Sequence, residues 1–395
     1  MNKQLHFSEM SARLAAPGGD VWAVHYEALA RKAAGDDVLV LSVGDPDFDT
    51  PPLIAEHVVR KLRAGRTHYS PAAGEDGLRQ AIAELETRCT GKPFTPEQFV
   101  VFPGATAALY ALVRCVLDRG DGLLVPEPMY VGYHSMFAAL DADVQTVPLQ
   151  PPNFELDVDA LLARVQPNTR AVLVNTPGNP CGNLIPPETL ARLAAECRRR
   201  NLWLICDEVY SLITFEEPHV SLLKCTDDMS NIAVVDGLSK SHAMTGWRVG
   251  WVVADEPLVQ ALVNLSGAAF FGVCQFVQDG AEFALRTDAE GVEHMRREYQ
   301  RRRDYALERI AAIPGLECFR PRGSMFVMLD ASALMPADTA DPGAAFARRL
   351  LDEAGISTIP GSAFGDSARN YVRLSLTVDE RELGEAFDRI DPLLN

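Results

Sequence analysis

The chain has 395 residues, of which 47% are hydrophobic and 23% are charged. This composition is typical of a soluble globular protein that is large enough for two domains. Lysine and arginine total 37 and aspartate and glutamate total 54, which gives a net charge of −17. A surface this acidic repels nucleic acid and anionic membranes, so neither is expected as a partner.

The eight cysteines are scattered along the chain without a C-x-x-C pair, and several lie in apolar segments. This pattern predicts reduced thiols, with no disulfide framework and no metal site. The first residues contain no apolar signal core, and no apolar segment is long enough to span a membrane. We therefore expect a cytoplasmic protein.

Short apolar segments alternate with segments of helical spacing, such as residues 107–117 and 187–199, through the middle of the chain. This alternation predicts βαβ units and a largely parallel sheet with helices on both faces. In such sheets ligands bind at the carboxyl ends of the strands. The predicted strands are residues 99–101, 123–125, 171–174, 202–206, 232–235 and 249–253.

The pattern changes near residue 290, where a long charged helix is predicted to run to about residue 313. A strand pair around residues 317–329, a helix at 344–354 and a strand at 371–376 follow, which predicts a smaller α+β domain. We predict a large domain of residues 45–289. The small domain is predicted to combine residues 1–44 with residues 290–395.

Lys240 is the most informative residue, because it follows the apolar segment 232–235 and lies among small and hydroxyl side chains. Burial lowers the pKa of an amine, as a Schiff-base nucleophile requires. Arg248, eight residues later, carries a planar fork of donors that fits a phosphate. Together they suggest a cofactor with an aldehyde and a phosphate, namely pyridoxal phosphate. A purely structural lysine is the alternative on this stretch alone.

Three other strand ends suit such a cofactor. Gly104 opens a helix after a strand, and the free N–H groups there attract phosphate, although a plain turn is the alternative. Asp207 follows the segment 202–206. A buried carboxylate there needs a partner, which a protonated pyridine nitrogen supplies, and a helix cap is the alternative. Asn179 lies in a turn sequence and offers an amide donor at the same sheet edge.

Arg373 lies inside the otherwise apolar segment 371–376. Arginine is seldom buried without a partner. A bidentate contact with a substrate carboxylate explains this position, and a structural salt bridge is the alternative.

These segments resemble those of the class I/II aminotransferases, which are fold-type I pyridoxal-phosphate enzymes. The resemblance implies an α/β fold with a mostly parallel seven-stranded sheet flanked by helices and a smaller α+β domain. It covers about residues 40–376 in the family's order. The matching pieces are SVGDPDF at 42–48, Tyr69 with Gly74, Gly104-Ala105-Thr106, PEPMY at 126–130, NPCG at 179–182, DEVY at 207–210, Ser239-Lys240 with Arg248, and Arg373.

The resemblance also implies the roles of these residues. Lys240, Asp207 and Tyr210 would be catalytic, with Lys240 binding the cofactor and moving the substrate proton. Asp207 would hold the ring nitrogen, Asn179 and Tyr210 the ring hydroxyl, and Tyr130 would stack on the ring. The phosphate would contact Gly104, Ala105, Thr106, Ser239 and Arg248, together with Tyr69 of the partner subunit in a homodimer. The substrate carboxylate would bind Gly44, Asn179 and Arg373.

The predicted reaction transfers the α-amino group of an L-amino acid to a 2-oxo acid by a ping-pong mechanism. Thr106 stands where some bacterial aspartate-specific relatives carry lysine, so acidic donors lose support. Segments 24–30, 41–51, 127–131, 239–253 and 325–328 are similar to those of bacterial arginine–pyruvate transaminases. We therefore expect arginine or another basic amino acid as donor and pyruvate as acceptor. The carboxylate that binds a guanidinium group is expected in residues 20–27.

Three alternatives remain at this point. The enzyme could act on aspartate, on aromatic amino acids or on a broad set of donors, or it could be a C–S β-lyase on the same scaffold. A non-enzymatic regulator is disfavoured, because such proteins carry an N-terminal DNA-binding domain and only 43 residues precede Gly44.

Overall fold

The computed structural model describes residues 6–15 and 22–394. The strands in this part of the chain are β1 Leu39–Val40, β2 Phe99–Phe102, β3 Gly122–Glu127, β4 Asp143–Pro148, β5 Thr169–Asn175, β6 Trp203–Asp207, β7 Ile232–Gly237, β8 Gly250–Ala254, β9 Glu317–Cys318, β10 Phe326–Asp330, β11 Ile356–Ser357, β12 Ile359–Pro360 and β13 Tyr371–Ser375.

The helices that connect these strands are α1 Glu9–Ala15, α2 Ala23–Ala33, α3 Pro52–Arg63, α4 Asp76–Thr90, α5 Ala105–Val116, α6 Gly132–Leu140, α7 Val158–Leu162, α8 Pro187–Arg199, α9 Leu222–Cys225, α10 Leu238–Ser241, α11 Glu256–Ala269, α12 Gln275–Thr287, α13 Ala289–Ala312, α14 Pro342–Ala354 and α15 Glu380–Leu394.

Seven strands form the central sheet, in the order β2-β8-β7-β6-β5-β3-β4. Neighbours from β4 to β7 pair in parallel, whereas β8 is antiparallel to both β2 and β7. The predicted mostly parallel sheet is therefore confirmed. Strand β4 is missing from the six predicted segments because it lies at the edge of the sheet and alternates exposed Asp143, Thr146 and Pro148 with buried or half-buried residues.

Helices cover both faces of this sheet, because successive strand residues point to opposite sides. On one face, Leu204 and Val234 belong to a buried core that includes residues of α4, α8 and α12. On the other face, Ile205 and Val235 pack with residues of α5, α6 and α11. The nearly continuous apolar strands of the sequence follow from this burial on two sides.

The strand directions bring the predicted site residues to one edge. Strand β2 runs in the same direction as β7, because β8 is antiparallel to both. The carboxyl ends of β2, β3, β5, β6 and β7 therefore meet where β8 begins. The register pairs Asn175 with Asp207 at this edge. Lys240 follows β7, and Arg248 immediately precedes Val249 and β8.

A smaller α+β unit contains a four-stranded antiparallel sheet, β12-β13-β10-β9, and the parallel pair β1-β11. Helices α13, α14 and α15 pack on it around a core that includes Phe326, Phe346 and Phe387. Strand β1 comes from the N-terminal part of the chain and β11 from the C-terminal part, so both contribute to this unit. The predicted domain boundaries after residues 44 and 289 stay predictions.

The cysteine side chains at all eight positions are free thiols. Within residues 6–15 and 22–394, no cluster of three or more histidine, cysteine or acidic side chains is arranged to hold a metal ion. Over the same residues, no helix is both long enough and apolar enough to cross a membrane.

Candidate active site

A cavity of about 360 Å³ opens at the edge of the sheet where these strands end. Its lining combines buried carboxylate, amide and phenol groups with three cationic side chains. The predicted site residues that line it are Gly44, Ala105, Thr106, Tyr130, Asn179, Asp207, Tyr210, Ser239, Lys240, Arg248 and Arg373.

Lys240 lies in the short helix α10, directly after β7, and its Nζ donates a hydrogen bond of 2.6 Å to the carbonyl oxygen of Gly44. Burial lowers the pKa of the Lys240 amine to about 8, while the charge of Asp45 opposes this shift and those of Arg373 and Arg248 add to it. An appreciable fraction of the amine is therefore neutral near physiological pH, as a nucleophile or a general base requires.

Asp207 ends β6 and is only 4% exposed. The hydroxyl of Tyr133 donates to its Oδ2 at 2.5 Å, and the Val209 N–H donates to Oδ1 at 3.3 Å. Burial raises the pKa of Asp207 to about 6, although both hydrogen bonds oppose the shift. Its hydrogen-bond partners are uncharged, and the residues that follow form a turn and not a helix. The carboxylate is thus suited to a cationic ring nitrogen, and the alternative of a helix cap is wrong.

Helix α5 begins at Ala105, directly after Gly104, and Thr106 is exposed in its first turn. Gly104 has a φ of +87°, and a Cβ atom there would lie 2.5 Å from Nη2 of Arg248. Only glycine therefore combines this backbone conformation with the arginine beside it. The free N–H groups of the helix and the guanidinium group together form an anion site at the cavity.

Arg373 lies in β13 and is 2% exposed. Its Nη1 donates to Oδ1 of Asn179 at 2.9 Å, and its Nη2 donates to the carbonyl oxygen of Ser42 at 2.7 Å. Its Nε has no hydrogen-bond partner among the described residues, and the ring of Phe326 lies 4.0 Å from its guanidinium carbon. Burial lowers the pKa of Arg373 to about 10. Because its partners are neutral, the alternative of a structural salt bridge is wrong, and a substrate carboxylate suits the position.

Asn179 and Tyr210 form one wall of the cavity. The amide Nδ2 of Asn179 donates to the phenol oxygen of Tyr210 at 3.3 Å. Burial raises the pKa of Tyr210, so its hydroxyl stays protonated at neutral pH. Tyr130 lines the same cavity, and burial raises its pKa as well. Neutral phenols at these positions suit hydrogen bonding and stacking with an aromatic ring.

Two predicted residues do not line the cavity. Gly104 lies behind Arg248, where its contribution is the space it leaves. Tyr69 is 81% exposed on the surface, and its ring contacts that of Phe271 at a centroid distance of 4.8 Å. Within one chain Tyr69 is absent from the site, so its role in a partner subunit stays a prediction.

The structure adds residues that sequence reasoning missed. Tyr133 holds Asp207, and its position three residues after Tyr130, near the start of α6, was the available signal. Phe326 stacks on Arg373, but the sequence carried no signal for this contact, because Phe326 lies in the apolar strand β10 and its pattern is typical of a core residue. The structure also places Trp22, Asp45, Asn175 and Thr245 in the lining.

The segment expected to supply a carboxylate, residues 20–27, is only partly described, since Asp20 lies outside the described residues. Glu27 is described, but it is not in the cavity lining. Its Oε1 accepts from Arg31 at 2.5 Å and its Oε2 from Arg348 at 2.6 Å. The prediction is therefore wrong for Glu27, because two arginines already bind its carboxylate.

Residues 36–390 match the model of the family described as aminotransferase class I and II. The chain belongs to this family. The enzyme is an aminotransferase, and its cofactor is pyridoxal phosphate. The cavity fits this cofactor, since it offers a buried lysine with a lowered pKa, a buried carboxylate without a cation, and a helix N-terminus beside an arginine.

Relatives cover almost the whole enzyme. The chain is 44% identical over 387 residues to the arginine–pyruvate transaminase of Pseudomonas aeruginosa, which covers 98% of this chain and 97% of the relative. It is 34% identical over 378 residues to the aspartate/prephenate aminotransferase of Thermus thermophilus, covering 94% and 95%. The solved structure of Thermus thermophilus aspartate aminotransferase with maleate matches 99% of this chain and 100% of that chain, with a TM-score of 0.91 and 34% identity. These matches confirm the predicted fold class.

Proposed function

We propose that the enzyme transfers the α-amino group of L-arginine, or of another basic amino acid, to pyruvate. The observation that carries this proposal is the 44% identity to an arginine–pyruvate transaminase, compared with 34% to the aspartate/prephenate aminotransferase. Thr106 supports it, because the cavity offers no lysine at this position to an acidic side chain.

The α-carboxylate of the donor binds Arg373 and Asn179 together with the backbone of Gly44. Pyridoxal phosphate, when bound, supplies a carbonyl carbon for the amino group and a ring that takes up the electrons left at Cα. Lys240, as a neutral amine, would take the proton from Cα and donate it to the cofactor carbon that holds the amino group, before water releases the 2-oxo acid. Asp207 keeps a proton on the ring nitrogen, because its carboxylate has no cationic partner in the protein.

The remaining site residues hold and orient the cofactor in this proposal. Lys240 would attach it, Asn179 and Tyr210 would hydrogen-bond its ring hydroxyl, and Tyr130 would stack on the ring. The residues that would bind its phosphate are Ala105, Thr106, Ser239 and Arg248, while Gly104 leaves the space that Arg248 occupies.

A panel of donors tests the substrate. We expect kcat/KM for arginine with pyruvate to exceed the values for aspartate and for aromatic donors, and 2-oxoglutarate to be the poorer acceptor. A higher kcat/KM for aspartate would favour the second candidate, an aspartate aminotransferase. The several aspartate aminotransferases among the relatives and solved structures support that candidate. A C–S β-lyase would instead release pyruvate from cystathionine without a 2-oxo acid acceptor.

A homodimer is part of the proposal, with Tyr69 of each subunit reaching the phosphate of the other. Tyr69 is 81% exposed and its neighbour Phe271 is 62% exposed, which leaves an aromatic surface for a second copy. Mixing Lys240→Ala and Tyr69→Ala subunits tests this directly. If Tyr69 acts between subunits, each mixed dimer contains one intact site and activity returns. If it acts within its own subunit, mixing restores nothing. The eight free thiols support a cytoplasmic location.

A further inference from the structure

Among the described residues that line the cavity, positive groups outnumber negative ones, so few carboxylates there can bind a basic side chain of the donor. Its cationic residues are Lys240, Arg248 and Arg373, and its carboxylates are Asp45 and Asp207. Asp207 is buried and held by Tyr133, and the proposed function assigns it to the cofactor ring. Among the described lining residues, Asp45 is therefore the carboxylate that has no role in binding the cofactor or the α-carboxylate.

The Asp45 carboxylate lines the cavity and accepts a hydrogen bond from another residue of the lining. The hydroxyl of Thr245, also in the lining, donates to its Oδ1 at 2.7 Å. Gly44, the preceding residue, accepts the hydrogen bond of Lys240, so Asp45 lies beside the group that acts at Cα. A donor side chain that extends from Cα toward Asp45 would reach a carboxylate that Thr245 already orients. Because less side-chain freedom is then lost on binding, the entropic cost of binding a cation is lower.

Two other carboxylates of the N-terminal part of the chain, Asp47 and Glu27, are already paired with arginines. Asp47 accepts two hydrogen bonds from Arg302, at 2.8 Å and 2.9 Å. Glu27 is bound by Arg31 and Arg348. Neither lines the cavity. A guanidinium group brought in by a substrate would have to displace an arginine from these side chains, whereas Asp45 requires no such exchange.

Trp22 lines the cavity together with Asp45. Its ring packs against a small buried group that includes Val131 and Phe364. An indole face attracts a guanidinium group more strongly than the other aromatic side chains do. An acidic side chain gains nothing from this wall, so Trp22 favours a cationic donor over aspartate.

We propose that Asp45 is the specificity residue that binds the cationic end of the donor side chain, with Trp22 in the same cavity lining. This inference rests on the proposed basic donor, and it names the residue that binds the positive charge of that donor.

The test compares arginine with citrulline, which has the same length but a neutral end. Asp45→Asn removes the charge and keeps the shape, and Asp49→Asn removes an exposed carboxylate outside the lining as a matched control. We expect the wild-type ratio of kcat/KM for arginine to that for citrulline to fall about tenfold in Asp45→Asn, as for the loss of one charge-assisted pair. The ratio should stay unchanged in Asp49→Asn.

An equilibrium measurement separates recognition from catalysis. The compound 5-guanidinopentanoate is arginine without its amino group, so it binds without reacting, and hexanoate lacks the charged end. Titration calorimetry of the cofactor-loaded enzyme should show a dissociation constant for 5-guanidinopentanoate that rises about tenfold in Asp45→Asn. The value for hexanoate should not change.

The outcomes distinguish the two proposals. A wild-type preference for arginine that persists in Asp45→Asn overturns the role of Asp45 and leaves the proposed donor intact. An equal loss of kcat/KM for arginine and for citrulline in Asp45→Asn also overturns the role of Asp45. Asp45 would then act through Lys240 and would not bind the donor side chain. A wild-type enzyme that does not distinguish arginine from citrulline overturns the proposed donor and the role of Asp45 together.

Discussion

Asp207 and Glu208 are consecutive buried carboxylates at the end of β6, yet their surroundings differ. Asp207 faces the cavity, and burial raises its pKa to about 6 against hydrogen bonds from Tyr133 and Val209. Glu208 has its Oε2 3.0 Å from His219 Nε2 and accepts the Leu222 N–H at 2.9 Å. Burial raises the pKa of Glu208, but His219 and the hydrogen bonds outweigh this effect, so the pKa is lowered overall.

The difference shows how a binding carboxylate can be told from a structural one. Glu208 finds its partners within the chain, whereas Asp207 lacks a cation that only a ligand supplies. Behind the site, Glu208 shares a cavity of about 80 Å³ with Glu86 and Asp236. Burial raises the pKa of Glu86 to about 8, so it is mostly protonated at neutral pH and needs no cation. Asp207, which faces the cavity of the candidate site, is therefore placed to bind a ligand. Glu208, which faces away from it, is placed to stabilise the fold through His219.

The largest effect is expected on the cavity side, at Lys240. Lys240→Ala should abolish transamination and remove the visible absorption band of the lysine-linked cofactor, because no other amine is among the described residues of the lining. The fold should persist, since removal of a buried amine relieves a desolvation cost. Turnover and absorption spectra measure this, with Lys224→Ala as an exposed-lysine control. Retention of most turnover in Lys240→Ala would falsify the assignment of the site.

Substitutions of Asp207 and Glu208, made separately, test whether the first acts in catalysis and the second in stability. Asp207→Asn should lower kcat by more than about a hundredfold, since an amide does not keep the ring nitrogen protonated. Its free energy of unfolding should change little. Glu208→Gln should keep kcat within about threefold but lose about 3 kcal/mol of unfolding free energy, because a buried pair is broken. If the catalytic loss appears in Glu208→Gln and the stability loss in Asp207→Asn, the two sides have been assigned the wrong way round.

Arg373→Leu should weaken every donor and acceptor by a similar factor, because each carries the carboxylate that Arg373 binds. The loss of a desolvated charge-assisted pair costs about 2–5 kcal/mol of binding free energy, and kcat/KM should fall by the corresponding factor for each substrate. Steady-state kinetics with arginine, citrulline and pyruvate measure the loss for each substrate. A loss confined to arginine would mean that Arg373 binds the donor side chain.

The smallest effect on activity is expected at Glu86, which lies on the side facing away from the site. Its pKa in the folded protein, about 8, lies above its ordinary value of 4.5, so between these values the folded state holds the proton more tightly than the unfolded state. This stabilisation is fully present below pH 4.5 and is lost as the pH rises through about 8. As the pH is raised from 6 to 9, the free energy of unfolding should therefore fall less in Glu86→Gln than in the wild-type enzyme.

Thermal unfolding at several pH values tests the Glu86 prediction. Glu290→Gln, an exposed position at the start of α13, is the matched control and should follow the wild-type curve. Identical pH dependence in wild type and Glu86→Gln would show that Glu86 is already ionised in the folded protein.

The sequence by itself determined the alternation of strands and helices and the residues that break it. Lys240, Asp207 and Arg373 were recognisable because each is a polar residue in or directly after an apolar strand, where burial without a partner is costly. The direction of the strands then follows from parallel βαβ units. These are local properties, and they sufficed to predict a largely parallel α/β sheet and the residues at its strand ends, whereas other lining residues such as Tyr130 and Tyr210 came from the resemblance to the aminotransferases.

Only the tertiary structure decided which buried charges already have partners. The sequence singled out Asp207 but did not show the partners of either carboxylate, because His219 is brought to Glu208 by the folding of a loop and Tyr133 to Asp207 by the packing of α6. Phe326 and Asp45 come to the site from different parts of the chain in the same way. Such contacts depend on distances between segments far apart in sequence, and those distances are fixed only when the helices and strands pack together.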